Sequence, residues 1–336
     1  MWAYRLIAPG RFEAVTADCP DSSKISPGQV QLRVLAGGIC GSDLPKFLGL
    51  KGSARAHGQA FTPGPAGFPM HEVVGEVVAS RDASIAEGSR VVGWATASNG
   101  AAEFVVTEGA QLYPYDRSLS PETAVLIQSL ACVLYPLSEM SVAGTHAAVL
   151  GLGPIGLLFG HALKNEGCAS VVGVDMVDRS AQAHRFGFDR VVHNTIGGWS
   201  AGLNNAGTDE TVSPDLVVEA VGHQVSTLQH AIDICAVGGR ILYFGIPDDD
   251  LYPLDMERMV RKNLTLSTGI TRRRREMLAL ANDYLLANRD LPDAVVTHTF
   301  PMSDIQGAFE LARTPRTDRR KIVLTVPVAD VHVDGA

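Results

Sequence analysis

The sequence contains no apolar run of the ~18 residues that a membrane-spanning helix needs. Its opening, MWAYRLIAPGRFEAV, has no charged leader followed by a long apolar stretch, so neither a membrane anchor nor a signal peptide is expected. Basic residues are in deficit: 28 Lys and Arg stand against 36 Asp and Glu, a net charge of −8. Such a surface repels phosphate backbones and argues against nucleic acid as a partner. Cysteine is scarce, with Cys19, Cys40, Cys132, Cys168 and Cys235 scattered along the chain and no CxxC pair. That usage speaks against a disulfide framework and suits a reducing, cytoplasmic setting. No internal repeat at roughly 20 to 50 residues is visible, which excludes solenoids and propellers.

What is present is an ordinary globular balance, 46% hydrophobic and 19% charged, over 336 residues. That length suggests two domains. The first third holds short strands broken by glycine and proline: QVQLRVLAGGI, EVVGEVVAS, RVVGWATA and AAEFVVTEG, a pattern of a compact antiparallel β domain. Between the first two lies GLKGSARAHGQAFTPGPAGFP, which reads as a surface loop. SPETAVLIQSLACVLYPLSEM has a cap-like Ser120, Pro121 in the first turn and Glu122 beside it, then helical apolar spacing. From residue 147, apolar strands (AAVLGLG, SVVGVD, DLVVEAVG, RILYFG, NLTLSTG) alternate with helical segments that include PIGLLFGHALKNEG, RSAQAHRFG and QVSTLQHAIDICAVGG. This predicts a parallel sheet covered on both faces. A further helix, REMLALANDYLLAN, precedes a last strand, RKIVLTV, that is able to return to the first domain. ADVHVDGA reads as a frayed tail. The run Arg272 to Arg275 reads first as a solvated helix start.

VLGLGPIGLL places Gly151, Gly153 and Gly156 in the G-x-G-x-x-G spacing, after a strand and at the start of a helix. The first glycine permits a tight turn, the second a close approach to a pyrophosphate, the third close packing of helix on strand. Pro154 and Ile155 open the helix whose free N–H groups attract phosphate. Asp175 ends the next strand at about the ~20-residue distance where an acid takes the adenosine ribose hydroxyls. Its charge would repel a 2′-phosphate, so NAD is favoured over NADP, with Arg179 the residue that weakens this preference. EAVG and FGIP, with Val221, Gly245 and Ile246, end later strands on the carboxyl edge where open α/β sheets bind ligands.

Cys40 in GGICGSDLPKFLG poses the remaining question. His71 and Glu72 lie in FPMHEVVGEV, at the start of a strand. Thiolate, imidazole and carboxylate form a set that zinc accepts, although a single cysteine or histidine is more often part of a core. In order along the chain, GGICGSDL, HEVVGEVV, VLGLGPIGLL, VVGVD and the closing HTFPMSDIQGAF resemble the medium-chain dehydrogenase/reductase family, in its zinc-dependent alcohol and polyol (sorbitol-like) branch. The resemblance implies a Rossmann doubly wound sheet over residues 126–271 and a β-rich GroES-like catalytic domain from 1–125 and 272–336. It also implies one catalytic zinc held by Cys40 and His71, with Glu72 as a ligand or a close neighbour, at a cleft between the domains. Ser42 would take the substrate proton, Asp43 would orient His71, and Gln128 would stand where the family has a further ligand.

The chain departs from the family at four places. Met70 replaces a glycine before His-Glu and would narrow a substrate pocket. Gln128 is a poor zinc ligand, with Cys132 one turn on as a weaker substitute. VVGWATASNGAAEF crosses the region of the structural zinc lobe without a cysteine, so no structural zinc is expected. Pro45 stands where a proton-relay histidine often lies. The implied activity is an NAD-dependent alcohol dehydrogenase (EC 1.1.1.-) moving hydride between NAD(H) and a secondary alcohol or ketone, most readily a polyol, sugar alcohol or cyclitol. An anionic substrate would require Arg272 or Arg273 to turn inward. The competing readings are a zinc-independent, NADPH-dependent reductase of the quinone or enoyl type and a non-catalytic nucleotide-binding homologue. Family members commonly pair through edge strands, which implies a homodimer or homotetramer.

Overall fold

The computed structural model describes residues 1–50, 61–205, 213–247 and 249–326. The tail ADVHVDGA, and residues 51–60 of the segment read as a surface loop, lie outside them. The chain divides into two compact units, 1–128 with 273–314 and 321–336, and 129–272 with 315–320. Residues 315–320, which the sequence division left with the first domain, thus group with the second.

The first unit opens on an antiparallel hairpin of β1 (Trp2–Ala8) and β2 (Arg11–Thr16). Next come β3 (Gln29–Gly38), the short helix α1 (Asp43–Phe47), β4 (Glu72–Ser80), β5 (Arg90–Trp94), β6 (Phe104–Glu108) and β7 (Leu112–Pro114). β3 and β4 are valine-rich and largely buried, and they pair antiparallel with Gly38 opposite Glu72. The C-terminal end of β3 therefore lies beside the N-terminal end of β4, which brings residues 40 and 71 together.

Helix α2 (Pro121–Ser138) starts at Ser120, whose Oγ accepts from the Thr123 N–H at 3.3 Å. It runs on into the second unit. There β8 (His146–Leu150), α3 (Pro154–Asn165), β9 (Ser170–Asp175), β10 (Arg190–His193), α4 (Ile196–Asn205), β11 (Leu216–Glu219), α5 (Val225–Ile234), β12 (Arg240–Tyr243), α6 (Met256–Arg261) and β13 (Thr265–Thr268) follow. The strands form one six-stranded, wholly parallel sheet in the order β10-β9-β8-β11-β12-β13. Val149, Leu150, Val171, Val174, Val217 and Val218 are fully buried in it, the continuous apolar signature of a sheet covered on both faces.

One expected helix did not form. RSAQAHRFG folds as two 3₁₀ turns, Ser180–Gln182 and His184–Phe186. Its bonds run from residue i to i+3, Asp178 caps the Ser180 N–H at 2.9 Å, and Gly187 turns left-handed at φ 72°. β10 and α4, which carry weaker patterns, were not anticipated.

The chain then returns to the first unit through α7 (Arg274–Ala287), α8 (Leu291–Val295), β14 (Val296–Pro301), α9 (Ile305–Ala312) and β15 (Lys321–Thr325). β15 pairs antiparallel with β3, completing the sheet path β14-β15-β3-β4-β5-β7, with β6 also on β3. Phe12, Phe47 and Phe309 pack together at ring-centre distances of 5.0–5.4 Å, with Phe12 stacked on Phe47 and edge-on to Phe309.

Candidate metal centre and cofactor turn

Cys40, His71 and Glu72 bring Sγ, an imidazole nitrogen and a carboxylate oxygen within 4.8 Å of one another. Among the described residues this is the group of three such side chains close enough to share an ion. Their supports are built into the backbone. Asp43, fully buried in the first turn of α1, accepts the Cys40 N–H at 3.0 Å with Oδ2 and meets His71 Nδ1 at 2.8 Å with Oδ1. One carboxylate thus ties the loop bearing the thiol to the ring of the histidine and leaves Nε2 as the ring's donor atom. Burial pushes the His71 imidazole down, but the Asp43 carboxylate and the Cys40 sulfur outweigh it and hold its pKa well above the ordinary value. The buried carboxylates of Asp43 and Glu72 beside the thiol favour a cation at this point. Soft sulfur, imidazole and carboxylate match the ligand chemistry of zinc.

Glu72 is buried and its Oε2 lies 2.5 Å from Lys321 Nζ. Sequence reasoning missed Lys321. The signal was a lysine opening an otherwise apolar strand, KIVLT. Ser42 is the N-cap residue of α1 and makes no capping hydrogen bond. Gln128 is buried on α2 and has partners of its own. Cys132 falls in the second unit, where it lines a cavity of about 330 Å³ with Tyr135, Arg240 and Thr268; it is not part of the triad. Met70 does not narrow a pocket as expected. It is fully buried in the core, and its Cε occupies the space that a side chain on Gly37 would need. The arginine run also divides: Arg274 lies over the Trp94 ring at 4.8 Å, Arg275 pairs with Asp82 at 2.8 Å, and Arg273 pairs with Glu276 at 3.0 Å.

In the second unit the glycine turn has the geometry its spacing demands. Gly151 sits at φ 89°, and a Cβ there would lie 2.6 Å from Val221 Cγ2. A Cβ on Gly156 would collide with the Gly151 carbonyl oxygen, whereas Gly153 faces open space. Gly153 caps α3 without a side-chain bond and Pro154 has no N–H, so the N–H groups that the helix start holds for an anion begin at Ile155. Asp175 accepts from the Leu152 N–H at 2.6 Å and the Val177 N–H at 2.7 Å, which fixes its carboxylate beside the turn. Arg179 is committed elsewhere: it is buried and donates to the carbonyls of Thr317 at 2.7 Å and Arg319 at 3.0 Å. It fastens residues 315–320 to the unit.

Glu219, fully buried at the end of β11, accepts from the N–H groups of Val221 at 3.2 Å and Gly222 at 3.1 Å. Its main-chain oxygen accepts from Gly245 at 3.1 Å. It holds Val221, Gly245 and Ile246 in two touching turns. Burial raises its pKa against the hydrogen bonds that lower it.

Matches to two family models cover most of the described chain: an alcohol dehydrogenase GroES-like domain at residues 26–116 and a zinc-binding dehydrogenase at 154–285. An L-threonine 3-dehydrogenase of Caldanaerobacter subterraneus is 28% identical over 86% of this chain and 89% of its own. A D-altritol 5-dehydrogenase of Agrobacterium fabrum is 28% identical over 91% and 94%. The solved alcohol dehydrogenase from Thermus sp. ATN1 superimposes with a TM-score of 0.78 over 97% of this chain and all of that one, at 23% identity. The two family models and the named dehydrogenase relatives support an oxidoreductase of the medium-chain class. The chain belongs to the zinc-dependent medium-chain dehydrogenase family, with a GroES-like domain and a Rossmann domain. No helix among the described residues is long and apolar enough to cross a membrane.

Proposed function

We propose that the chain is an NAD(H)-dependent dehydrogenase that interconverts a secondary alcohol and its ketone, with a polyol, sugar alcohol or cyclitol as substrate. The observation that carries this reading is the Cys40–His71–Glu72 triad with Asp43 fixed behind it. Names of the relatives support the substrate class: one acts on a sugar alcohol, the other at the hydroxyl-bearing position 3 of threonine.

Cys40, His71 and Glu72 would hold one zinc ion. A bound zinc supplies Lewis acidity to the substrate oxygen, and bound NAD supplies the hydride acceptor. The chain's own residues do the rest. Asp43 keeps the His71 ring oriented and the Cys40 loop in place. Ser42 Oγ, which the helix does not use, accepts the hydroxyl proton of the alcohol. Pro45 has no side chain able to relay that proton, so residue 45 takes no part in its onward transfer. In the second unit Gly151, Gly153 and Gly156, with the start of α3, receive the pyrophosphate. Asp175 takes the ribose hydroxyls and disfavours a 2′-phosphate, and with Arg179 committed to Thr317 and Arg319 no guanidinium from that residue offsets the repulsion. Glu219 keeps Val221, Gly245 and Ile246 in register beside the cofactor. The assembly is a homodimer or homotetramer.

Turnover of a panel of polyols, cyclitols and L-threonine with NAD and with NADP tests the reading. Reduction of NAD by a polyol, at a rate at least about tenfold above that with NADP, is the expected result. Turnover confined to NADPH and an enone would contradict it.

A further inference from the structure

Lys321 takes no part in the chemistry above, yet it is a charged residue only 2% exposed. It opens β15, whose Ile322, Val323 and Leu324 are core. A lysine there has lost its hydration, so its charge persists only where it is matched. Glu72 is the match, with Nζ 2.5 Å from Oε2 and side chains 3% and 1% exposed.

Three strands arrange the contact. β15, β3 and β4 are neighbours in that order, with Val323 opposite Gly38 and Gly38 opposite Glu72. A Cβ on Gly38 would collide with the Glu72 carboxylate and stand 3.0 Å from Lys321 Cε. The middle strand therefore lacks a side chain where the outer strands join charges across it.

We propose that Lys321 is the positioning residue of the metal centre: its ammonium engages one oxygen of Glu72 and restrains that carboxylate, so that the Cys40–His71 pair keeps positions open for a substrate oxygen. The inference rests on the metal reading given above. An ammonium-bound carboxylate is a weaker donor and offers a cation a single oxygen. Released, it would close on the ion and compete with the substrate.

The test measures zinc affinity by chelator competition, and the visible spectrum of the cobalt(II)-loaded protein, in wild type, Lys321→Gln and Lys321→Arg. The expected result is zinc bound at least about tenfold more tightly by Lys321→Gln, with a changed cobalt spectrum and a lower kcat. Lys321→Arg should keep both the wild-type affinity and the wild-type spectrum. Unchanged or weaker zinc binding in Lys321→Gln, with wild type binding zinc, overturns the inference and leaves the function standing. A wild type that binds no zinc removes both. Should Lys321→Gln fail to fold, Lys321→Met combined with Glu72→Gln buries no charge. Zinc affinity equal to that of Glu72→Gln alone supports action through Glu72, and a difference of about tenfold or more refutes it.

Discussion

The two units build their candidate sites from different parts of the chain. In the first unit side chains do it: Cys40, Asp43, His71, Glu72 and Lys321 converge from strand ends far apart in sequence, and buried charges hold one another in place. In the second unit the main chain does it. Gly151, Gly153 and Gly156 make room, the start of α3 offers its N–H groups, and side chains such as Glu219 and Asp175 act largely by fixing backbone. A side-chain site fails when one donor is removed. A main-chain site fails when one methyl group is added. That contrast makes the two separable by mutation.

The largest effect is expected at the thiol. Cys40→Ala should lower kcat by about a thousandfold or more through loss of the metal, while NADH binding stays at the wild-type value. Steady-state kinetics beside an NADH fluorescence titration checks both halves, and a joint loss would break the comparison. Next comes the reverse experiment. Gly156→Val drives a side chain into the Gly151 carbonyl and should abolish cofactor binding, at a cost of about 3 kcal/mol or more in stability. Its zinc content, measured on whatever soluble protein survives, should remain that of the wild type.

Asp43→Asn sharpens the side-chain half. It keeps the shape but weakens the grip on His71, and metal affinity should fall by roughly 10- to 100-fold as read by chelator competition. Of similar or smaller size is Asp175→Asn, which should weaken NAD about tenfold and narrow the gap to NADP, checked by KM for each cofactor.

The last effect is one of pH, and it is read on stability rather than on either site. Burial raises the Cys235 thiol to about 11 from the ordinary value near 9. A raised folded pKa stabilises the fold fully below the unfolded value, and that stability is lost as pH climbs through the folded one. Thermal melts between about pH 8 and pH 11 should decline by roughly 2 kcal/mol in the wild type, and less steeply in Cys235→Ala.

Legibility in the sequence follows the same division. β4 and β9 run over Glu72–Ser80 and Ser170–Asp175, the very residues their valine patterns mark out. The glycine turn was readable because its spacing is itself the geometry. The failures are long-range. RSAQAHRFG has helical composition, but capping by Asp178 and the left-handed Gly187 leave it as 3₁₀ turns. Met70 read as a pocket residue because its partner, the bare backbone of Gly37, is distant in sequence. Lys321 was overlooked because a single lysine says nothing until β15 lies two strands from Glu72. Local pattern reports strands and turns, whereas buried charge pairs depend on which strands meet.

The most direct measurement is zinc per chain by atomic emission on protein purified without added metal, in wild type and in Cys40→Ala. About one zinc per chain in the wild type, lost in the variant, is the predicted result. Zinc near zero in both would contradict the account and turn attention to metal-free NADPH chemistry on the same fold.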